Sequence, residues 1–388
     1  MHSILEKKNN RNTSVFIDAS NIGSGGGIAH IKNLLSRAPS ENITYTIWID
    51  KKYLKDLPQK DNFEYKSSFM FNLPFPMKFI WKIVFFRLIC IKNKPDILFC
   101  PGGLLFFKHP NSTIVFQNIL PFADSNLLGS SFFEKLKNRI LRESLKISSA
   151  NSSKHIFHSI NSKEIIYNQK TTKKDFSIIN HGTDKDFYID QLKLEEKIER
   201  LQKKINHKKS LSFTYVASAF KYKNHIPLLK IFSSLRNKGL NFKLNLVISK
   251  GSFKNQIFKC IKDLSLSNEI TIYEDLEKND LISILHDQTD LYLFVSSLET
   301  FGMILAEGMA SGLPIFATKT TCIPEIIGDH DLYIDIQESE NSSEKILKEL
   351  GNLDKLINHS SSAYLRAKNF SWHNSAKMSW DFIFRGNS

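Results

Sequence analysis

The chain has 388 residues, of which 41% are hydrophobic and 24% are charged, as in a soluble globular protein with room for two domains. A formal net charge of +14 indicates an anionic partner such as nucleic acid, anionic lipid or a phosphorylated small molecule. A Lys- and Asn-rich composition inherited from an AT-rich genome is the alternative explanation. The polar start MHSILEKKNNRNTS predicts no secretory signal. Four scattered cysteines with no Cys-x-x-Cys pair exclude a disulfide framework or a cysteine zinc site and predict a cytosolic protein.

Apolar strand-like runs alternate with helical patterns along almost the whole chain, which is typical of βαβ units and a parallel sheet. A charged stretch over 191–209, without a strong apolar face, separates two series of such runs. We therefore predict an α/β protein with two doubly wound, Rossmann-like domains. The predicted strands are 14–20, 44–50, 96–102, 112–118, 155–160 and 176–180 in the first series, and 211–218, 242–251, 269–275, 290–297 and 313–319 in the second.

A glycine-rich turn follows the first predicted strand in SVFIDASNIGSGGGIAHIKNLL (14–35). Gly25, Gly26 and Gly27 permit close approach of the backbone to a phosphate, and we expect the helix to start at Ile28. The spacing fits neither a G-x-G-x-x-G dinucleotide fingerprint nor a P-loop. A plain flexible turn explains the glycines equally well.

The segment PFPMKFIWKIVFFRLICIK (74–92) is apolar but is interrupted by Lys78, Lys82 and Arg87, so it falls short of the roughly 18 apolar residues of a membrane span. The three cations fall near one helical face beside large aromatic side chains, which favours an interfacial helix on anionic lipid. A sheet-covering helix with snorkelling lysines is the alternative. Residues 51–110 hold eleven Lys and Arg against four Asp and Glu.

Two carboxylates, Glu299 and Glu307, flank an apolar stretch that starts just after the strand predicted at 290–297. Glu299 lies on the turn after the strand, and Glu307 lies one turn inside the helix that follows. A carboxylate in a helix buried nearly all round needs hydrogen-bond donors, and ribose hydroxyls are suitable donors. The alternative is that both carboxylates bond to backbone N–H groups or to nearby lysines.

The turn between the strand and the helix also suits a phosphate. Gly302 lets the backbone approach a ligand, and the N–H groups of Phe301, Gly302 and Met303 lie at the start of the helix. Ligands of open α/β sheets bind at the carboxyl ends of the strands, which is where this turn lies. The sequence therefore predicts a nucleotide or phosphate site here.

Residues 299–307, ETFGMILAE, resemble the E-x7-E motif of glycosyltransferase family 4, whose members are retaining enzymes with the GT-B fold. The continuation GMASGLPIFATKTTCIPEIIGDHDLYID is similar to that family's E-A-M-A-x-G-x-P-V stretch. The resemblance implies that Glu299 contacts the donor sugar and that Glu307 contacts the nucleotide ribose. It also implies that the backbone between them, including Thr300, holds the sugar and the diphosphate.

The stretch FTYVASAFKYKNHIPLL (213–229) resembles the segment that opens the family's second domain. Lys223 matches the lysine that neutralises the donor diphosphate and so stabilises the leaving group. Many members carry an upstream Arg where this chain has Ser218, so one cation is missing. A solvated surface lysine is the alternative for Lys223.

Elements of the first half are also similar to the family. SIINHGTDKDFY (177–188) resembles an I-P-H/N-G-V-D element and places His181 at the cleft between the domains, although an isolated His is more often structural. The glycine turn resembles the family's first loop. Many relatives have a His-Asp pair where this chain has Gln117 and Asn118, which cannot act as a general base near neutral pH but can hydrogen-bond to donor or acceptor.

We predict from these observations a retaining GT-B glycosyltransferase with its active site between two domains. The predicted domains are 1–183 for the acceptor, a linker over 184–209, and 210–369 for the nucleotide sugar, with 370–388 capping the second domain or crossing back onto the first. Asp184-Lys185-Asp186 reads as the D-x-D metal motif of a different glycosyltransferase fold; we discount it and expect no cofactor and no essential metal.

The expected partners are a nucleotide-diphosphate sugar, a lipid-linked or free saccharide acceptor, and the inner surface of the cytoplasmic membrane through 74–92, with no nucleic acid. By family analogy, the expected task is a step of O-antigen, capsule or lipopolysaccharide biosynthesis in the cytoplasm. Two alternatives remain: a nucleotide-sugar epimerase of the same fold, revealed by donor consumption without transfer, and a non-catalytic basic binding protein, revealed by salt-sensitive nucleic-acid binding without nucleotide-sugar binding.

Overall fold

The computed structural model describes residues 12–23, 25–73, 75–124, 127, 132–328, 330 and 332–386, without the side chains of Phe75, Pro76 and Lys78. The chain divides into two compact units. The first unit runs up to Phe122 and also includes Asn138–His181 and the chain from Trp372 onward. The second unit comprises Ala123–Lys137 and Gly182–Ser371.

The first unit is built on a parallel sheet of seven strands in the order β3-β2-β1-β4-β5-β6-β7. All the strand pairs in this sheet are parallel. The strands are β1 Thr13–Asp18, β2 Ile43–Trp48, β3 Phe63–Lys66, β4 Ile97–Cys100, β5 Ser112–Phe116, β6 Lys154–Phe157 and β7 Asp175–Ile178. The helices are α1 Gly26–Ser36, α2 Phe75–Ile80, α3 Arg87–Asn93, α4 Phe132–Asn151 and α5 Ile160–Tyr167, with a π-helix at Trp81–Phe86 and 3-10 turns at Lys51–Asp56, Phe69–Asn72 and Leu120–Phe122. The first residues of α4, up to Lys137, are grouped with the second unit.

The second unit is built on a parallel sheet of five strands in the order β10-β9-β8-β11-β12. The strands are β8 Leu211–Ser218, β9 Phe242–Ser249, β10 Ile270–Glu274, β11 Leu291–Phe294 and β12 Ile315–Ala317. The helices are α6 Gln191–Asn206, α7 His225–Asn237, α8 Lys254–Asp263, α9 Lys278–Ser283, α10 Met303–Ala310, α11 Ile323–Ile327, α12 Ser339–Leu350 and α13 Leu353–Ala367, with a π-helix at Ile284–Gln288 and 3-10 turns at Lys185–Phe187 and Lys221–Lys223.

Each sheet carries its own apolar core. In the first unit Val15, Ile17 and Phe99 are fully or almost fully buried, and they cluster with residues of α1 and of the last helix, α14 Trp372–Phe384. Trp380 of α14 donates from Nε1 to the carbonyl oxygen of Leu34 at 3.0 Å. The last segment, whose packing the sequence left open, is therefore part of the first unit.

The segment 184–209, which the sequence predicted as a linker, is largely a helix that packs on the second unit. Helix α6 covers most of it, and Leu194, Lys197 and Leu201 are buried. Lys197 donates from Nζ to the carbonyl oxygens of Leu285 at 2.7 Å and Ser311 at 2.9 Å, which satisfies the buried ammonium. A narrow face of buried residues thus suffices to dock an otherwise charged helix, and the segment groups with the second unit.

Over the part of the chain that the structure describes, no helix combines the length and the apolar character needed to cross a membrane.

Candidate functional site

The sheet order of the second unit brings two predicted site residues together. Strands β8 and β11 are neighbours and run parallel, so the loops after them emerge side by side. Lys223 lies in the 3-10 turn that follows β8, and Glu299 lies on the turn after β11. The Lys223 ammonium donates to Oε1 of Glu299, and each side chain is only 14% exposed. Lys223 is therefore a paired, largely buried lysine and not a solvated one.

Polar bonds fix the two loops against each other. The side-chain amide of Asn224 donates to the carbonyl oxygen of Val295 at 2.7 Å and to Oγ of Ser297 at 2.6 Å. The N–H of Ser297 donates to the carbonyl oxygen of Tyr222 at 2.8 Å. These bonds hold the Lys223–Glu299 pair at the carboxyl edge of the sheet, and Ser218 ends strand β8 at the same edge.

Burial and the partner carboxylate act in opposite directions on Lys223. Burial is the largest single effect and lowers its pKa, but the negative charge and hydrogen bond of Glu299, together with Tyr222, more than offset burial, so the pKa lies above its ordinary value. The ammonium therefore stays charged at physiological pH. A fixed cation at the carboxyl ends of two parallel strands is suited to an anionic ligand.

The turn before α10 has a backbone conformation that favours glycine. Gly302 is the N-cap and has φ +83°, a left-handed conformation that favours glycine. An added Cβ there would also lie 3.1 Å from the Phe294 ring. Helix α10 begins at Met303, and the N–H groups of its first turn point out of the helix end, where they suit an anion.

Phe301 and Thr300 contribute differently to this turn. The Phe301 side chain is fully buried, and its ring packs edge-on against Phe370 with centroids 5.2 Å apart. Phe301 can therefore contact a ligand only through its backbone. Thr300 is partly buried. The Glu299 N–H donates to Oγ1 of Thr321 at 3.2 Å, which orients the residue that carries the carboxylate.

Glu307 lies on a partly buried face of α10, where both an acidic and a basic side chain act on it. Burial, together with the nearby negative charge of Asp184, raises its pKa from 4.5 to about 8, against a smaller opposing effect of Lys278. Lys278 forms ion pairs with Asp184 at 2.9 Å and with Asp186 at 2.6 Å. The two carboxylates that read as a D-x-D motif are thus bonded to a lysine.

One residue of the glycine turn in the first unit has a left-handed backbone conformation. Gly25 has φ +80° and caps α1, which begins at Gly26, two residues earlier than the sequence predicted. A Cβ on Gly27 would lie 3.2 Å from Ile22 and 3.4 Å from Oε1 of Gln117. The absence of a side chain there leaves room for the Gln117 amide.

Gln117 and His181 meet in a histidine cluster, whereas Asn118 does not join it. The ring nitrogens of His30, His158 and His181 lie within 4.8 Å of one another, and Gln117 Nε2 contacts His30 Nδ1 at 2.7 Å. Asn118 is exposed, and its Oδ1 accepts from the N–H of Leu120 at 2.8 Å. Sequence reasoning missed His30 and His158; the available signal was that His158 directly follows a buried strand.

The segment 74–92 only partly fits the predicted interfacial helix. Pro74 lies outside the described residues, and so does the side chain of Lys78. Lys82 does not face solvent or lipid: it is buried and paired with buried Asp18. That part of the prediction was wrong because the cation of a helix covering the sheet reached a carboxylate at the end of β1.

The opposite face of this segment is exposed and apolar. Its exposed fractions are 45% for Ile80, 43% for Val84, and 57% for both Leu88 and Ile91. Arg87 is exposed beside them. Apolar side chains exposed along one helical stripe with adjacent cations are typical of surfaces that bind a membrane interface.

Comparison with known proteins shows which family most of the second unit is similar to. Residues 197–363 match the family described as Glycosyl transferases group 1. The matched range contains Lys223, Glu299 and Glu307. This part of the chain is therefore similar to the glycosyl transferases group 1, and the resemblance that the sequence predicted is confirmed.

Proteins similar in sequence include glycosyltransferases of several kinds. The uncharacterized glycosyltransferase MJ1178 of Methanocaldococcus jannaschii is 24% identical over 362 residues, which cover 90% of this chain and 91% of that protein. N-acetyl-alpha-D-glucosaminyl L-malate synthase of Bacillus anthracis is 33% identical over 86 residues, 22% of each chain. The O-antigen chain mannosyltransferase B of Escherichia coli is 30% identical over 83 residues, 21% of this chain and 22% of that protein. The chain thus spans 22% of the length of each of the last two relatives.

Solved structures show the same fold over nearly the whole chain. WaaG, a glycosyltransferase involved in lipopolysaccharide biosynthesis, superimposes with a TM-score of 0.70 at 14% identity, covering 96% of this chain and 100% of that one. Anabaena HepE in complex with UDP and glucose gives a TM-score of 0.68 at 13% identity, covering 96% and 99%. The fold is that of the GT-B glycosyltransferases, as predicted.

Proposed function

We propose that this protein is a retaining glycosyltransferase that moves a sugar from a nucleotide-diphosphate sugar to a saccharide acceptor. The observation that carries the proposal is the Lys223–Glu299 pair. It joins the carboxyl ends of two neighbouring strands inside the segment that matches a glycosyltransferase family. The pair thus lies where open α/β sheets bind ligands and where a donor diphosphate needs a cation.

Each donor group has a residue suited to it. The Glu307 carboxylate accepts hydrogen bonds from the ribose hydroxyls. Lys223 and the backbone N–H groups of residues 301–303 neutralise the diphosphate, with Ser218 and Thr300 as further polar contacts. Glu299 accepts hydrogen bonds from the sugar hydroxyls. When the donor binds, its diphosphate competes with Glu299 for the Lys223 ammonium, which frees the Glu299 carboxylate for the sugar.

The proposed transfer needs no strong protein base. The acceptor hydroxyl oxygen bonds to the anomeric carbon on the face from which the diphosphate oxygen leaves, and its proton passes to the departing diphosphate. Burial, with the charges of His158 and His30, holds the pKa of His181 well below its ordinary value. Gln117 does not titrate near neutrality. These residues therefore fit hydrogen bonding better than general-base catalysis.

The proposed donor site is also independent of metal. Lys223 supplies a positive charge, and the start of α10 adds partial positive charge from its N–H groups. Asp184, whose charge acts on Glu307, and Asp186 each form an ion pair with Lys278. Their charges are thus already compensated by a side chain of the protein.

The acceptor in this proposal is a lipid-linked saccharide presented at the inner face of the cytoplasmic membrane, in bacterial surface-polysaccharide assembly. The proposed binding to a membrane surface is supported by an exposed apolar stripe beside Arg87, formed by Ile80, Val84, Leu88 and Ile91. The proposed role in surface-polysaccharide assembly is supported by the similarity to an O-antigen mannosyltransferase and to WaaG. The net charge of +14 favours anionic lipid.

The proposal is tested by thermal unfolding of the purified chain with a panel of GDP-, UDP-, dTDP- and ADP-sugars, beside Glu307→Ala. A ligand that binds only the folded state raises the melting temperature with its concentration. We expect a shift with one nucleotide class that Glu307→Ala abolishes. The same shift in Glu307→Ala would contradict the ribose role, and no shift with any donor, even with membrane lipid extract added, would contradict the function.

A further inference from the structure

The first unit holds a cluster of three buried histidines, remote in sequence from one another, that the proposed transfer does not use as acids or bases. His30 is 3% exposed, His158 is 1% exposed and His181 is 7% exposed. One ring nitrogen from each residue lies within 4.8 Å of the other two. The rings of His158 and His181 pack with centroids 3.7 Å apart.

The sheet order explains why these residues meet. His158 directly follows β6, and His181 comes shortly after β7, its neighbour in the sheet. Gln117 directly follows β5, which pairs with β6 on the other side. His30 comes from α1, the helix after β1. The cluster therefore lies at the carboxyl ends of parallel strands, the edge at which such sheets bind ligands.

Hydrogen bonds prepare two of the rings as ligands. His158 Nδ1 lies 2.9 Å from the carbonyl oxygen of Ile179, so Nδ1 carries the proton and Nε2 carries a lone pair. That Nε2 is buried and has no hydrogen-bond partner. Gln117 contacts Nδ1 of His30 at 2.7 Å, and its amide oxygen accepts the Nδ1 proton in one of its two orientations. A metal-binding histidine usually donates its second ring nitrogen in this way.

We propose that His30, His158 and His181 form a binding site for a divalent transition-metal ion, with Gln117 and the Ile179 carbonyl orienting two of the rings. Imidazole nitrogens suit zinc, and three histidines leave the fourth tetrahedral position to a water molecule. Zinc–nitrogen bonds of about 2.0–2.1 Å place the nitrogens about 3.3 Å apart, so the distances between the ring nitrogens need to shorten by at most about 1.5 Å.

Such an ion would join helix α1 to the ends of β6 and β7. It lies in the first unit, whereas Lys223, Glu299 and Glu307 lie in the second. We therefore expect it to stabilise the first unit and not to take part in donor binding. An excess of zinc about a hundredfold over its Kd should raise the melting temperature of that unit by about 5–10 °C.

The first test measures metal in the untagged full-length protein. After equilibration with Zn²⁺ and gel filtration, we expect about one zinc per chain, with X-ray absorption showing imidazole nitrogens at about 2.0–2.1 Å. Co²⁺ should give the intense visible bands of a tetrahedral site. No retained metal, or a zinc spectrum without imidazole scattering, would overturn the proposal without any variant.

The second test uses His158→Gln and His30→Gln, with His359→Gln as the matched control. His359 is also buried and stacks on a second histidine, but it lies in the second unit. We expect the first two variants to lose Co²⁺ binding and the control to keep it. Gln117→Leu should weaken binding about ten- to a hundredfold.

Circular dichroism in EDTA checks that each variant is folded, and only folded variants are compared. Unchanged Co²⁺ binding in folded His158→Gln or His30→Gln would refute the assignment of the ligands. If neither variant folds, the absorption spectrum of the zinc-bound wild type decides the matter.

Discussion

Replacement of Glu307 by Gln should stabilise the free protein while it weakens donor binding. The pKa of Glu307 is raised from 4.5 to about 8 by burial and by Asp184. Between these pH values the folded protein binds a proton that the unfolded chain releases, so stability falls as the pH rises through this range. Gln keeps the shape of the protonated side chain and cannot ionise. The stability of the variant therefore does not fall in this way as the pH rises.

The magnitude follows from the size of the shift. Each pKa unit corresponds to about 1.4 kcal/mol, so at pH 7 the lost stability is roughly 3 kcal/mol as an upper limit, and at pH 5 it is below about 1 kcal/mol. We expect Glu307→Gln to exceed the wild type in free energy of unfolding by up to these amounts. The difference should grow from pH 5 to pH 8.

The assay must report the unfolding of the second unit, because Glu307 lies there. All four tryptophans, at 48, 81, 372 and 380, lie in the first unit, so tryptophan fluorescence reports that unit, whereas far-UV circular dichroism also reports the second. Urea unfolding of wild type, Glu307→Gln and the exposed control Glu338→Gln is compared at pH 5, 7 and 8. A difference that does not change with pH, or a Glu307→Gln variant less stable than wild type at pH 7, would refute the reasoning.

Three further perturbations test other parts of the structure. Lys223→Met should cost about 3 kcal/mol in the second unit by leaving buried Glu299 unpaired, and adding Glu299→Gln should recover most of this in urea unfolding. Asp18→Asn should cost about 3–5 kcal/mol in the first unit by leaving Lys82 buried and unpaired, measured by tryptophan fluorescence. Leu88→Glu should reduce sedimentation with phosphatidylglycerol vesicles at least tenfold, because it places a negative charge on the apolar stripe.

Matched control variants separate these specific effects from nonspecific effects of a substitution. Leu192 is 72% exposed in the second unit, so Leu192→Glu should leave vesicle binding unchanged. Equal loss of binding in both Leu→Glu variants would contradict the assignment of the membrane surface. For the Lys223–Glu299 pair, additive losses in the double variant would show that the two side chains do not interact in solution.

The sequence predicts the sheets well where strands are continuous apolar runs. Each predicted strand has a counterpart, from β1 to β12, and β8 at Leu211–Ser218 has the predicted bounds. Strand β3 was missed because FEYK is a short edge strand whose residues alternate between exposed and partly buried, so it has no apolar run to detect. Periodicity reports burial, and an edge strand is little buried.

Long-range side-chain partners escape this kind of reasoning. Asp18 and Lys82 are 64 residues apart, and only the packing of a helix against β1 shows that they pair. The histidine cluster likewise depends on the order of β5, β6 and β7 in the sheet. The Lys223–Glu299 region was found because both residues lie in local motifs that resemble a known family. Local sequence therefore locates motifs, while the sheet order decides which of them meet.

Transfer of an isotope-labelled sugar to a membrane lipid extract tests the central claim most directly. The donor is the nucleotide sugar that stabilises the protein in the thermal unfolding test. We expect the enzyme to release nucleotide only when the lipid extract is present. We also expect a lipid-linked product in which NMR shows the same anomeric configuration as in the donor. Glu299→Ala should abolish transfer, and Glu338→Gln should not. An inverted product would contradict the retaining mechanism, and donor consumption without any transfer, or full activity in Glu299→Ala, would contradict the proposed function and site.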